Sequence, residues 1–460
     1  MNARPRSGLR HPPRLVVEAV VIFGVVALAA FLIYHFVVHT IHNPRPLAGA
    51  NVDVSRAQLV QSEASFAIDP SQPRVLFGAS NDSEGDRVLV YDSSDGGATW
   101  RRSEGPAVPG DSCAHGEPRV AIDRSGREVL AFIADSFCGD TLTPYLVVTS
   151  RAGPRAHWSP VVRVAPKTWK YGFDDAPDLA LDERTGELYL AWTRSLAVDA
   201  ASVVVSRSGD GGRTWSAPLP LQTAHDHARL ASIAVAPDGD VVVAGIDTTH
   251  GIWIARSTDG GRTFGAARTA APLLSNPSGE CSLAGLSPLP KEEQTCAGPN
   301  PTVVADDNRV FVVYDDVGAN RTLDVYVAVL DRALQRLFRT RVNPPDRGAA
   351  QQFFPVAAVD PATGALWACW YDTTFDPNAH RAWFTCSASR NGRTWTAPER
   401  AAAVPSAPAD LFGVSAGYGL VPALAARGGV AHAFWADQRV VNLESEVFTA
   451  SLGERTAFEG

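Results

Sequence analysis

The stretch "SGDGGRTW", Ser208–Trp215, belongs to a pattern that recurs along the chain. "SSDGGATW" (Ser93–Trp100) and "STDGGRTF" (Ser257–Phe264) match it closely, and "SASRNGRTW" (Ser387–Trp395) is a diverged copy. In such a pattern Asp accepts backbone hydrogen bonds, Gly adopts a left-handed conformation, and the terminal aromatic residue anchors the next strand in a core. The pattern therefore predicts a turn that shapes the protein.

A catalytic interpretation of the pattern is not favoured, because a nucleophilic Ser or an acidic Asp needs a partner beside it and the pattern supplies none. We expect a structural role for the residues that define the four turns, namely Asp95, Gly97, Trp100, Asp210, Gly212, Trp215, Asp259, Gly261, Phe264, Asn391 and Trp395.

Each turn lies inside a longer repeat. A run of β-branched and aromatic residues ends in a turn such as "DPATG" or "APDG", and a second such run follows, which predicts a hairpin. A third strand, the eight-residue turn and a fourth strand starting at its aromatic residue complete the unit. Units of this kind start at Ala64, Pro118, Pro177, Ala231, Pro301, Pro355 and Pro422.

Repeated four-stranded units predict an all-β fold, a β-propeller with seven blades. Six blades are the alternative, because the fifth unit lacks the turn pattern and the second has only "SRAGPRAHW". The last unit lacks a fourth strand. We expect the strand-like stretch "NVDVSRAQLVQ", residues 51–61, to complete it and close the ring, which would hide exposed sheet edges.

The N-terminal part of the chain contains a long apolar stretch, residues 15–38, of about the ~20 residues that cross a bilayer. Arginines precede it, so the N-terminus is expected in the cytoplasm and the propeller outside it, periplasmic or extracellular. An uncleaved signal anchor is favoured over a cleaved signal peptide. The predicted organisation is a cytoplasmic segment 1–14, a transmembrane helix 15–38, a linker 39–50 and a propeller domain 51–455.

Charge and cysteine content limit the classes of partner. A net charge of −8 without a basic run argues against nucleic-acid binding. The six cysteines fall into pairs that are close in sequence, and an exported chain meets an oxidising compartment, so disulfides are favoured over a metal site. The expected pairs are Cys113 with Cys138, Cys281 with Cys296, and Cys369 with Cys386.

The turn pattern resembles the Asp-box (BNR) repeat of the sialidase superfamily, and the repeats cover about residues 60–450. The resemblance implies that the turns lie between third and fourth strands, on the face opposite a ligand site. It also implies candidates for a glycosidase site. Tyr418 would be the nucleophile, Glu117 or Glu280 its assisting base, and Asp111 or Asp175 the acid.

Candidate ligand-binding residues lie on the same loops: Arg229, Arg347, Arg439 and His227. The resemblance implies three arginines that hold a substrate carboxylate, since a guanidinium binds that group through paired hydrogen bonds. No cofactor and no catalytic metal are expected, although "HDH" (225–227) and "DDAPD" (174–178) leave a structural Ca²⁺ open.

Two functions follow from this resemblance. The family's F/Y-R-I-P run is absent, and "EPRV" (Glu117–Val120) is the nearest approximation. This departure favours a propeller that binds a glycan or a cell-envelope protein. The alternative is a glycoside hydrolase of the exo-sialidase type, which would cleave terminal acidic sugars.

Overall fold

The structure is a computed structural model, and it describes most of the region after residue 50. The described residues are 51–57, 60–82, 87–110, 115–134, 144–165, 173–197, 200–221, 228–247, 251–274, 299–318, 322–345, 350–376, 381–406, 418, 421–439 and 445–459, with the backbone alone at 196, 197, 200, 228, 229 and 459.

Seven antiparallel sheets of four strands each make up the fold, which confirms the prediction of seven blades. We number the blades in chain order. Their strands are β2 (Ser65–Ile68), β3 (Leu76–Ser80), β4 (Leu89–Ser93) and β5 (Arg101–Glu104) in blade one; β6 (Gly116–Ile122), β7 (Glu128–Ala134), β8 (Tyr145–Arg151) and β9 (Val162–Arg163) in blade two; β10 (Phe173–Leu181), β11 (Leu188–Ala197), β12 (Ala200–Ser208) and β13 (Leu219–Pro220) in blade three; and β14 (Ala228–Val235), β15 (Val241–Asp247), β16 (Gly251–Ser257) and β17 (Arg268–Ala271) in blade four.

The remaining blades follow the same order. They are β18 (Thr302–Ala305), β19 (Arg309–Val317), β20 (Leu323–Asp331) and β21 (Arg336–Arg341) in blade five; β22 (Gln352–Val359), β23 (Leu366–Asp372), β24 (Trp383–Ser389) and β25 (Glu399–Arg400) in blade six; and β26 (Ala423–Arg427), β27 (Val430–Asp437), β28 (Glu446–Gly453) and β1 (Val52–Asp53) in blade seven. A short helix, α1 (Glu454–Glu459), follows β28.

The ring closes through blade seven, as the sequence predicts. β1 pairs antiparallel with β28, with Val52 opposite Thr449. Apolar packing covers the same joint, because the ring of Phe434 in blade seven stacks on Phe66 in blade one at 5.2 Å. The early strand therefore supplies the fourth strand of the last blade and leaves it no bare edge at that position.

The core lies between neighbouring blades. The strands β7, β15 and β23 are buried at every residue, because both faces of an inner blade strand are covered by adjacent blades. Large aromatic side chains such as Trp192, Trp367 and Trp435 are no more than 1% exposed and fill these interfaces. Packing between blades thus replaces the alternation of buried and exposed residues seen in a sheet with one wet face.

The four recurring turns, 93–100, 208–215, 257–264 and 387–395, join third to fourth strands; we call them box turns. In the second, Asp210 Oδ2 accepts from the Thr214 hydroxyl at 2.6 Å and Asp210 Oδ1 from the Thr214 N–H at 3.0 Å. Gly212, with φ of 86°, donates its N–H to Ser208 Oγ at 3.0 Å. The turn is a closed hydrogen-bonded unit built from its own residues.

The expectation that the fourth strand starts at the aromatic residue of the turn was wrong for blades three, four and six. Their fourth strands begin at Leu219, Arg268 and Glu399, after Trp215, Phe264 and Trp395. In blades three and six a proline, Pro218 or Pro398, intervenes, and proline has no N–H to donate to the sheet.

Box turns and first hairpin turns share one face of the ring, which we call the box face. The Gly96 N–H in the first box turn donates to the Arg74 carbonyl of the β2–β3 turn at 2.9 Å. On this face Arg427 of blade seven also forms an ion pair with Glu183 of blade three, although these two blades are not neighbours in the ring. The first strands therefore begin at the opposite face.

Cys369 and Cys386 form a disulfide that links β23 to β24, which confirms one of the three expected pairs. Both cysteines are at most 1% exposed. Cys113, Cys138, Cys281 and Cys296 lie outside the described residues.

Among the described residues, no helix is long and apolar enough to span a bilayer. The predicted transmembrane stretch, 15–38, lies outside the part of the chain that the structure describes.

Replacing Asp210 with Ala should lower the free energy of unfolding by about 1–2 kcal/mol, because several hydrogen bonds to one carboxylate are lost. Although burial opposes the charge, hydrogen bonds from Thr214 hold the pKa of Asp210 down at about 2. The stabilisation is therefore present above the ordinary Asp pKa and disappears as the pH falls towards 2. Urea unfolding at neutral and acidic pH measures both effects.

Asp210→Asn is the matched control, since Asn391 occupies the same position in the fourth box turn and its Oδ1 accepts the Thr394 N–H at 2.9 Å. We expect this variant to be more stable than Asp210→Ala. Equal stability of Asp210→Ala and the wild-type chain at neutral pH would contradict the structural role of the turn.

Candidate functional site

The first strands of all seven blades surround a central cavity of about 600 Å³. We call this cavity the funnel. Equivalent segments from each blade line it, at 63–66, 117–120, 176–179, 230–233, 300–303, 354–357 and 421–424. These segments begin at the face opposite the box turns, so this face carries the mouth of the funnel.

Four of the seven funnel-lining strands have an irregular backbone at their start. Glu117, Ala176, Leu230 and Phe354 have φ values of 52°, 46°, 52° and 48°, and each lies where the pairing register of its strand shifts. Such bulges bend a strand and redirect side chains. Left-handed backbone is uncommon outside glycine and concentrates at functional sites, so the recurrence of this bulge favours the mouth of the funnel as a site.

Hydrogen bonds between blades hold these irregular segments. The Val120 N–H donates to Ser65 Oγ at 3.0 Å, and the Val303 N–H donates to Ser232 Oγ at 3.0 Å. In blade three a carboxylate takes the place of the serine hydroxyl: Asp178 Oδ2 accepts the Ile233 N–H at 2.8 Å. Backbone groups freed by the bulges are thus satisfied by side chains of the preceding blade.

Three carboxyl groups from three successive blades line one side of the funnel: Glu63, Glu117 and Asp175, here called the carboxyl cluster. Glu117 Oε2 accepts the Ala176 N–H at 2.6 Å, and its carboxyl group is hydrogen-bonded to that of Asp175. Burial raises the pKa of Glu117 well above its ordinary value, and the charges of Glu63 and Asp175 raise it further. Glu117 therefore holds its proton to a higher pH than an ordinary glutamate.

Glu63 completes the cluster from blade one. Burial raises its pKa, while a hydrogen bond from Asn81 and the charge of Arg119 act in the opposite direction. Glu63, Glu117 and Asp175 all keep part of their surface accessible in the funnel. A ligand that enters the funnel can therefore reach all three.

Arg119 is the basic side chain among the described residues that line the funnel. Its Nε lies 3.9 Å from Asp178 Oδ1, and its side chain is 14% exposed. With Asp178 included, four carboxyl groups face this one guanidinium. The described lining is consequently acidic.

The other side of the funnel is apolar. Leu230, Phe354 and Val421 occupy the positions that Glu63 and Glu117 hold in blades one and two. Leu230 is 36% exposed, which leaves its apolar surface open to a ligand. The funnel thus combines an acidic side with an apolar side.

Of the residues predicted from the sequence, Glu117 and Asp175 come together in the funnel. Tyr418 is 4% exposed and packs between the rings of Phe353 and Tyr371, at 5.0 and 5.1 Å. Its ring belongs to the core between blades six and seven.

The predicted arginines are not brought together by the described contacts. Arg439 forms an ion pair with Asp437 at 2.5 Å, and its Nη1 donates to Asn51 Oδ1 at 3.1 Å beside the closing strand. Only the backbone of Arg229 is described. Arg347, Asp111, His227 and Glu280 lie outside the described residues.

Sequence reasoning did not select Glu63, Arg119 or Asn81. A signal for Glu63 exists, since "EASF" in unit one aligns with "EPRV" in unit two once the first strands are superimposed. Among the described residues no group of three or more His, Cys, Asp or Glu side chains is arranged to hold a metal ion. Asp174, from the "DDAPD" segment, instead accepts from Trp192 Nε1 at 2.8 Å and from Arg194 Nε at 3.0 Å.

Comparison with known proteins gives structural matches only, since no family model and no curated protein sequence matches the chain. A Dyadobacter fermentans protein of unknown function is 13% identical, with a TM-score of 0.50 over 88% of this chain and 97% of that one. A GH93 alpha-L-arabinofuranosidase of Fusarium graminearum is 11% identical (TM-score 0.49; 89% and 99% covered), and a Hadza microbial sialidase is 16% identical (0.46; 85% and 75%). At such identities the likeness concerns the fold alone.

Replacing Asp315 with Asn should flatten the pH dependence of stability. Asp315 is fully buried, and its Oδ1 accepts the N–H of Asn300, a funnel residue, at 3.0 Å. Burial raises the pKa of Asp315 from 3.8 to about 7. Because the folded pKa is raised, the stabilisation from this group is complete below pH 3.8 and is lost as the pH rises through 7.

The size of that loss is of the order of a few kcal/mol. Thermal unfolding between pH 4 and 8 should show a smaller decline for Asp315→Asn than for the wild-type chain. Parallel curves for the two proteins would mean that Asp315 does not titrate in this range.

Proposed function

We propose that the chain is an Asp-box-type propeller that binds a glycan in the funnel, on the face opposite the box turns. The observation that carries this proposal is the convergence of Glu63, Glu117 and Asp175, from three blades, on a single cavity. Ligand sites are concave, largely apolar and supplied with a few polar groups that fix orientation, and the funnel has this composition.

Sugar chemistry matches the two sides of the funnel. Ionised carboxyl groups accept hydrogen bonds from sugar hydroxyls, and such charge-assisted bonds are stronger than neutral ones. The apolar side, where Leu230 and Val421 keep exposed surface, suits the C–H faces of a sugar ring. A protonated Glu117 adds a donor for a ring or glycosidic oxygen.

The charge of the lining favours an uncharged or amine-bearing sugar. In the described lining four carboxyl groups surround one guanidinium, that of Arg119, and each carboxyl group that is ionised would repel a ligand carboxylate. The described lining does not supply the arginine cluster that the sialidase resemblance implies. Neutral and amino sugars are therefore the better candidates for the ligand than acidic sugars.

A binding test compares the full-length chain, in detergent, with neutral, amino and acidic oligosaccharides on one array. We expect neutral or amino sugars to bind, and Glu117→Gln or Glu63→Gln to weaken binding about tenfold or more, as expected for loss of a charged hydrogen-bond partner. Glu104→Gln is the matched control, because Glu104 is 66% exposed on β5 outside the funnel.

Binding to acidic sugars alone would contradict the charge argument. Glu117→Gln and Glu63→Gln variants that bind as tightly as the Glu104→Gln control would remove the funnel as the site.

Hydrolysis of a glycosidic bond is the second candidate function, and the Glu117–Asp175 pair is the observation that favours it. Glycosidases use one protonated and one ionised carboxyl group, held about 5 Å or more apart on either side of the scissile bond. Glu117 and Asp175 are hydrogen-bonded to each other, so this scheme requires a substrate to separate them. In this scheme Glu117 protonates the departing oxygen, and Asp175 acts at the anomeric carbon as nucleophile or as base towards water.

A hydrolysis assay with aryl glycosides of neutral and amino sugars tests this scheme. We expect Glu117→Gln to reduce kcat by at least about 100-fold, because general acid catalysis contributes that much. The wild-type activity should fall on the alkaline side as Glu117 loses its proton. Binding without turnover of any of these glycosides would leave the binding function and exclude the hydrolase.

The proposal includes attachment to a membrane through residues 15–38 and an extracytoplasmic propeller, on the ground of the apolar stretch and the arginines that precede it. A cell-envelope protein is the alternative ligand. Protease added to intact cells should degrade the propeller, and the fragment that remains should stay in the membrane fraction.

A further inference from the structure

Asn81 follows β3 in blade one, at the mouth of the funnel. Its backbone N–H donates to the Ser62 carbonyl at 2.9 Å, so the residue is fixed next to the start of the first strand. The side chain is half-buried and carries no charge. It nevertheless contacts both glutamates of the carboxyl cluster.

The side-chain amide of Asn81 forms hydrogen bonds to residues of two blades. Its Nδ2 donates to Glu63 Oε2 at 2.8 Å. Its Oδ1 accepts the backbone N–H of Glu117 at 2.7 Å. One side chain therefore ties the carboxyl group of blade one to the backbone that presents the carboxyl group of blade two.

Both of the contacted residues have strained backbone, and in Glu117 the contact is with the backbone itself. Glu63 and Glu117 have φ values of 51° and 52°, in the left-handed region that non-glycine residues rarely occupy. Such a conformation persists only where the surroundings fix it. Asn81 supplies a direct contact to each of the two residues.

We infer that Asn81 is a positioning residue of the funnel, whose amide keeps the Glu63 and Glu117 carboxyl groups in one arrangement for the ligand. This inference rests on the proposed function for its meaning, but its physical content is independent of any ligand. The charged groups that face Glu63 and Glu117 come from three blades: Glu63 and Glu117 themselves, Arg119, Asp175 and Asp178.

The amide also affects protonation. Burial raises the pKa of Glu63, and the hydrogen bond from Asn81 lowers it. Without this donor, Glu63 should hold its proton to higher pH. A purely structural asparagine elsewhere in the fold would not alter this titration.

The test follows the infrared absorption of protonated carboxyl groups against pH in the full-length chain. Bands are assigned by their loss in Glu63→Gln and Glu117→Gln. In Asn81→Ala we expect the Glu63 midpoint to rise by roughly one pH unit, as loss of a charged hydrogen bond implies. Asn81→Asp keeps the acceptor for the Glu117 N–H and adds a carboxyl group next to Glu63. In this variant the Glu63 midpoint should therefore rise further than in Asn81→Ala.

Asn343→Asp is the matched control. Asn343 has the same pair of contacts, since its Oδ1 accepts the Val325 N–H at 2.9 Å and its Nδ2 donates to Asp324 Oδ1 at 2.8 Å, but it lies between blades five and six. It should leave the Glu63 and Glu117 bands unchanged. Unchanged midpoints in Asn81→Ala, or in Asn81→Asp should the alanine variant not fold, would overturn the inference.

Failure of this inference and failure of the proposed function are distinguishable. The titration needs no sugar, so a chain that binds no glycan but shows the shifted midpoints would retain Asn81 as the positioning residue. A chain that binds glycan in the funnel with unchanged midpoints would retain the function and lose this role for Asn81.

Discussion

The structure depends on closing a ring of sheets. Each blade buries both faces only because it has a neighbour on each side, and a strand such as β23, buried throughout, could not exist in an open array. The pairing of β1 with β28, with Phe434 stacked on Phe66, supplies the last of these neighbours. Every other interface, and the funnel at the centre, requires that closure.

Closure of the ring also leaves backbone polar groups near the central axis without regular strand pairing. Seven strands that converge on one axis cannot all keep regular pairing to their ends, and four of them break register through a left-handed residue. Side chains such as Ser65, Asp178 and Ser232 then satisfy the neighbouring backbone. The same irregularity turns the side chains of Glu117 and Leu230 towards the funnel, so that the geometry of the fold and the proposed ligand site depend on one set of residues.

The sequence was sufficient for the architecture and insufficient for the site. Hairpins and box turns are local, and their residues, such as Asp210 and Thr214, bond within a few positions of each other. The carboxyl cluster and its contacts are not local. Asn81 and Glu117, for example, belong to different blades, and their hydrogen bond depends on how these two blades pack. Glu117 and Asp175 were selected individually by their positions on loops, but nothing in a single sequence indicates that their carboxyl groups touch.

The ion pair between Arg427 and Glu183 connects two blades that are not neighbours in the ring. Contacts between adjacent blades follow the circumference of the ring, whereas this ion pair crosses the ring from blade seven to blade three. Blade seven, where the ring is sealed, is thereby coupled directly to blade three, which carries Asp175 and Asp178. A displacement of Arg427 in blade seven therefore acts on the β10–β11 turn of blade three without passing through blades one and two.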